Sequence, residues 1–192
     1  MERLNKKEVN KVVQLLKEEK VVALPTDTVY GFSCLPTSDR AVKKLCELKH
    51  CDDEKLFIVL VSKNYNLDNL IECNGSVLDF IKSNTPNPLT MIVNKKSGLK
   101  LSKNFHLPTL AIRVPNDAFL QSVLNEVGFM ISTSCNIHGE PNINSVNEII
   151  DKFDDLDAIV IDNPNQNAKP STIVDLTSSE IKIIRQGDYV LR

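Results

Sequence analysis

The sequence predicts an α/β fold: a twisted mixed sheet with flanking helices. Three observations support this. Short apolar runs suited to buried strands are interspersed with segments whose apolar residues recur every three or four positions. Near the C-terminus strand-like runs follow one another without intervening helices, so the sheet must be partly antiparallel. The 192-residue length, with 42% hydrophobic and 25% charged residues, suits one globular domain over 1–192.

The elements read in order as follows. Asn5 caps a helix with Glu8 as its third residue, and Val9, Val12, Val13, Leu15 and Leu16 form its apolar stripe. Lys20 to Leu24 is a buried strand stopped by Pro25. Ser38 caps a second helix with Ala41, Val42, Leu45 and Leu48 on one face. Phe57 to Val61 is a buried strand, and Leu67 to Ile81 is helical in two pieces broken near Asn74-Gly75. Leu89 to Val93 and Thr109 to Val114 are strands. Asp117 to Val127 is a helix and Phe129 to Ser132 a short strand. Ser145 to Phe153 is a helix, followed by strands at Ala158 to Ile161, Ser171 to Leu176 and Ile181 to Arg185. Asp162 to Pro170, polar with two prolines, reads as a loop.

Composition excludes several classes. No apolar run approaches the roughly 20 residues that span a bilayer. No signal-type stretch follows the charged N-terminus, so a cytoplasmic protein without membrane association is expected. Five cysteines without C-x-x-C spacing, and the scattered His50, His106 and His138, predict neither a disulfide framework nor a metal held by protein side chains. The net charge of -2 is not that of a chain that coats nucleic acid. Lys43, Lys44, Lys49 and Lys55 form either a local basic patch or a solvated helix face. No P-loop, G-x-G-x-x-G or G-x-S-x-G occurs, so phosphate binding would fall mainly to side chains.

Several segments carry chemistry. Pro25-Thr26-Asp27-Thr28-Val29-Tyr30-Gly31 follows a strand directly, where ligands gather in open α/β sheets; a hydrogen-bonded turn is the alternative. Lys49 ends a helix, where a cation suits the dipole or meets a phosphate. Arg113 interrupts an apolar strand. It must either pair, with Asp117 or Glu140, or clamp a ligand anion bidentately. In Ser132-Thr133-Ser134-Cys135-Asn136, an extended chain points Ser132, Ser134 and Asn136 the same way, although such clusters also make turns. Ser171-Thr172 opens a strand with hydroxyls, and Arg185 sits at a strand end beside Gln186-Gly187.

Taken together, PTDTVYG at 25–31, ELK at 47–49, NPLT at 87–90, LAIRVP at 110–115, STSCNIHGEP at 132–141, STIVD at 171–175 and IIRQG at 183–187 resemble the YrdC-like family, the threonylcarbamoyl-AMP synthases of tRNA modification. The resemblance covers nearly the whole chain and leaves no room for the extra C-terminal domain that some relatives carry. It implies a large concave positive cavity. It also implies synthesis of L-threonylcarbamoyl-AMP and pyrophosphate from L-threonine, bicarbonate and ATP, with Mg²⁺ on the ATP. Partner proteins then transfer the threonylcarbamoyl group to tRNA, and weak RNA binding is compatible. By position, Thr28, Arg113, Ser132 and Ser171 are implied to meet L-threonine. Lys49, Cys51, Lys55, Thr109, Ser134, Asn136, Asn142 and Arg185 are implied to meet the nucleotide, with Lys49, Arg185, Ser134 and Asn136 as the catalytic set. One position departs from the family: its K-x-R reads Lys49-His50-Cys51 here. Losing a guanidinium from a polyanion site costs roughly 1.5–3 kcal/mol, on the order of tenfold to a hundredfold in ATP affinity or rate. Lys55 or protonated His50 partly substitutes. Two alternatives share the fold: a non-catalytic double-stranded RNA or tRNA-binding module, and a carbamoyltransferase domain of the kind embedded in larger hydrogenase-maturation proteins.

Overall fold

The computed structural model describes residues 1–51, 57–162 and 170–191. Ten strands form one mixed sheet in the order β1-β8-β2-β3-β7-β4-β6-β5-β9-β10. They are β1 (Glu2–Asn5), β2 (Val22–Leu24), β3 (Gly31–Cys34), β4 (Ile58–Val61), β5 (Leu89–Asn94), β6 (Thr109–Arg113), β7 (Phe129–Ser134), β8 (Ala158–Ile161), β9 (Thr172–Asp175) and β10 (Lys182–Arg185). The helices are α1 (Val9–Lys17), α2 (Asp39–Lys49), α3 (Gly75–Asn84), α4 (Ala118–Val127) and α5 (Val146–Lys152), with a 3₁₀ turn at Leu67–Asn69.

Most element starts follow their capping chemistry. Ser38, Asn74, Asp117 and Ser145 each accept a backbone N–H in the first turn of α2, α3, α4 and α5. The first helix differs from expectation. Its N-cap is Glu8, not Asn5, because Asn5 ends β1 and forms a tight turn in which its own N–H meets Glu8 Oε2 at 2.9 Å. β1 is polar and mostly exposed, so alternation does not reveal it. β3 escapes the sequence reading because it follows the Pro25–Gly31 segment without a break and is buried at every position. The loop reading at 163–169 and the implied contact at Lys55 lie outside the described residues.

The period-two alternation of the strands sorts the core into two clusters. Val21 and Ala23, Val59 and Val61, Ile131 and Ile159 face the larger one, beneath α2, α3 and α5. Val22 and Leu24, Leu60, Met130, Ala158 and Val160 face the smaller one, beneath α1 and α4. α1 and α4 pack on each other and cover only the β1–β8–β2 side and centre of their face. The rest of that face, over β7, β4, β6, β5 and β9, is left open as a cleft. No helix among the described residues is long and apolar enough to cross a membrane.

Candidate active site

The cleft holds about 370 Å³ and collects side chains from segments far apart in sequence. Thr28 comes from the loop after β2, Arg113 from the end of β6, Ser132 and Ser134 from β7, Ser171 from the start of β9, and Arg185 from β10. Ile58, Ile92, Ala111 and Ile173 give it an apolar floor. The register explains the convergence: β6 lies parallel to β4, which lies antiparallel to β7, so Arg113 and Ser132 point to the same face.

Arg113 is the chemical centre of this wall. It is 4% exposed. Its Nη1 donates to Thr28 Oγ1 at 3.1 Å, and its Nη2 lies 3.2 Å from Asp27 Oδ1. Its Nε is buried and finds no acceptor among the described residues. The ion-pair partner is therefore Asp27. The two carboxylates the sequence suggested serve elsewhere: Asp117 caps α4 and pairs with Lys6, and Glu140 pairs with Lys152. Burial pushes the Arg113 pKa below its ordinary value, Asp27 opposes that shift, and the nearby Arg185 charge adds to it. Two guanidiniums that disfavour each other in a partly dry cleft gain most from a bound anion.

The loop that carries Thr28 is held from several sides. Thr26 Oγ1 donates to Val29 O at 2.6 Å and accepts Thr28 N–H at 3.1 Å. Buried Tyr30 donates its hydroxyl to Val160 O at 2.8 Å, which ties the loop to β8; burial raises its pKa. Gly31 leaves room for the Ser132 hydroxyl where the loop meets the sheet, since a Cβ there would stand 2.3 Å from Ser132 Oγ and displace it. On the far wall the Ser171 hydroxyl pairs with buried Thr90 Oγ1 at 2.8 Å. Arg185 donates to Ser171 O through Nε at 3.2 Å and Nη2 at 2.8 Å. Gly187 allows this closure, because a Cβ would fall 2.3 Å from Pro170 O.

Of the residues the sequence implied, Thr28, Arg113, Ser132, Ser134, Asn142, Ser171 and Arg185 meet at this cleft. Lys49, Asn136, Thr109 and Cys51 do not line it. Lys49 is fully buried, and its Nζ donates to Ser134 O at 2.6 Å, Asn136 O at 2.9 Å and Asn136 Oδ1 at 3.0 Å. Asn136 departs from the extended path because β7 ends at Ser134; its Nδ2 donates to Ile137 O and Glu140 O. Thr109 shares the face of Arg113, but the cleft lining ends at Ala111. Cys51 faces a separate cavity beside α2. Asp27 and Thr90 were within the quoted motifs, yet only the fold shows that they orient Arg113 and Ser171.

The Sua5/YciO/YrdC family model, described as "Telomere recombination", matches residues 14–187. The chain belongs to the Sua5/YciO/YrdC family. A family relative, the threonylcarbamoyl-AMP synthase of Wigglesworthia glossinidia brevipalpis, is 32% identical over 182 residues, covering 92% of each chain. Among solved family structures, P. abyssi Sua5 complexed with L-threonine superposes with a TM-score of 0.86 at 22% identity; the match covers 97% of this chain and 57% of that longer one. E. coli YciO superposes with a TM-score of 0.82 at 23% identity, covering 97% and 93%. These two likenesses establish the family fold.

Proposed function

We propose that the chain is a nucleotidyltransferase that forms L-threonylcarbamoyl-AMP and pyrophosphate from L-threonine, bicarbonate and ATP, supplying partner proteins that modify tRNA. The observation that carries this reading is the buried Arg113 guanidinium, whose Nε has no acceptor among the described residues and which stands in one cleft with Thr28, Ser132, Ser171 and Arg185. Such a wall suits an α-amino acid. Arg113 takes the carboxylate, and the hydroxyls take the amine and the side-chain hydroxyl. The name of the 32% identical relative and the threonine complex of Sua5 support the same substrate.

In this reading the threonine amine captures CO₂ derived from bicarbonate as a carbamate. A carbamate oxygen attacks the α-phosphate of ATP, and pyrophosphate leaves. The protein's work is to position the two substrates and to neutralise charge that develops on phosphate oxygens, the latter through Arg185 at the cleft rim. Asp27, beside the cleft, is engaged by Arg113. Mg²⁺ enters with ATP, as part of the MgATP substrate. Incubation with L-threonine, bicarbonate and MgATP should release pyrophosphate only when threonine is present. Absence of threonine-dependent release would defeat the reading, and salt-sensitive RNA binding in its place would favour a non-catalytic RNA-binding module.

A further inference from the structure

Helix α2 ends in a Schellman motif. The N–H of Cys51 donates to Cys46 O at 3.1 Å, the N–H of His50 donates to Glu47 O at 3.1 Å, and His50 adopts the left-handed conformation with φ 48° and ψ 45°. This geometry folds the second residue past the helix back over the last full turn. Here those two residues are Cys51 and Cys46. With standard bond lengths on either side of the hydrogen bond, their Cα atoms are at most about 7 Å apart, and any bend at the bond brings them into the disulfide range of roughly 4.4–6.8 Å.

Both thiols line one open cavity of about 300 Å³. Cys46 is 5% exposed, whereas Cys51 is half-buried and reachable from solvent. Cys34, close enough to Cys46 for the two to influence each other electrostatically, is fully buried, as is Cys135. Among the described residues the cavity rim carries Lys43, His50, Lys103 and Glu47. The open cavity admits a small-molecule disulfide to Cys51.

We propose that Cys46 and Cys51 are an oxidative modification site that closes to a reversible disulfide, with glutathione disulfide as the oxidant. The Cys51 thiolate attacks one sulfur of the oxidant, its S–S bond breaks, and one glutathione leaves as a thiolate that takes up the proton Cys51 released. The Cys46 thiolate then attacks Cys51 Sγ, and the second glutathione departs with the second proton. Two cysteine thiols are oxidised and one glutathione disulfide is reduced to two thiols. Cys51 is the entry point because it is the accessible partner, and Cys46 resolves the mixed disulfide because the helix terminus holds it against Cys51. The ring so closed contains Lys49, whose ammonium holds Ser134 and Asn136, so the cross-link bears on the turn that follows the cleft strand β7.

The test is mass analysis of the full chain after treatment with excess glutathione disulfide. The expected product has lost two hydrogen atoms and two alkylatable thiols, and dithiothreitol restores both. Digestion after Lys49 separates the cysteines into two peptides that stay joined only through the new bond. Cys51→Ser should abolish the loss, and Cys46→Ala should leave Cys51 carrying one glutathione. A link between another pair, such as Cys34 and Cys46, overturns the proposal. So does a stable mixed disulfide at Cys51 in the native sequence, or no reaction. The readout is mass, so it stands or falls separately from the proposed synthase activity.

Discussion

Two buried cations lie on opposite sides of the sheet, and their surroundings differ in kind. Lys49, on the α2 side, places its ammonium among three oxygens of the Ser134–Asn136 turn, at 2.6, 2.9 and 3.0 Å, and 5.9 Å from the Phe32 ring centre. An ammonium has three hydrogens, and all three have acceptors within the chain. Arg113, on the open side, has five N–H donors but meets only Thr28 Oγ1 and Asp27, and its Nε is left without an acceptor among the described residues. Buried polar groups in native proteins are satisfied unless a ligand or water completes them. The contrast assigns the two cations different work. Lys49 commits its ammonium to the turn beside the site, whereas Arg113 keeps a donor unmatched among the described residues, as the proposed carboxylate contact requires.

The largest effect expected is at Arg113. Arg113→Ala leaves Asp27 buried without a counter-charge and should cost about 3–5 kcal/mol of stability, read as a fall in the urea midpoint. Threonine-dependent pyrophosphate release should vanish with it. Adding Asp27→Asn should return most of the stability and none of the activity. If the double variant also regains activity, Arg113 is structural and the contrast with Lys49 fails. Lys49→Met comes next. It strips the Ser134–Asn136 turn of its central donor and should cost about 3 kcal/mol of stability, while the threonine KM of the folded fraction stays close to native. A variant of native stability that no longer responds to ATP would move Lys49 from the scaffold to the nucleotide. Cys51→Arg is smaller and opposite in sign: if the nucleotide reaches from the cleft to the cavity that Cys51 faces, as the family's K-x-R pattern implies, a guanidinium there should tighten apparent ATP binding on the order of tenfold. Unchanged or weaker binding would confine the nucleotide to the cleft, away from Cys51.

The helices and the cleft residues were legible in the sequence, the contrast between Lys49 and Arg113 was not, and the difference has physical reasons. Ser38, Asp117 and Ser145 announce their helices because capping is local chemistry. The cleft residues Thr28, Arg113, Ser132, Ser171 and Arg185 were legible only through the ordered motifs, since no single hydroxyl or arginine signals a ligand. The partner of Arg113 was not legible. Asp117 and Glu140 are closer in sequence, but pairing is decided by the tertiary fold, in which Asp27 and Thr28 of the loop after β2 reach the Arg113 guanidinium. The role of Lys49 was obscured for a related reason. Its place at a helix end fits both a dipole cation and a phosphate ligand, and the acceptors that separate those readings lie 85 and 87 residues away.

In the far wall of the cleft, Thr90 stands where it can position Ser171. Thr90 is fully buried on β5, and its hydroxyl shares one hydrogen bond of 2.8 Å with Ser171 Oγ. Arg185 meanwhile holds the Ser171 carbonyl, so the Ser171 hydroxyl is fixed by Thr90 on one side and its backbone by Arg185 on the other. Thr90→Val removes that partner with little change in shape. One neutral hydrogen bond is worth about 1 kcal/mol, so the threonine KM should rise about fivefold. The effect should fall on KM and spare kcat, because a freely rotating Ser171 hydroxyl still reaches the substrate once it is bound. Thr90→Ser keeps the hydroxyl and should restore the native KM. A Thr90→Val variant with native KM and lowered stability would instead place Thr90 with Lys49, among the groups that hold the fold.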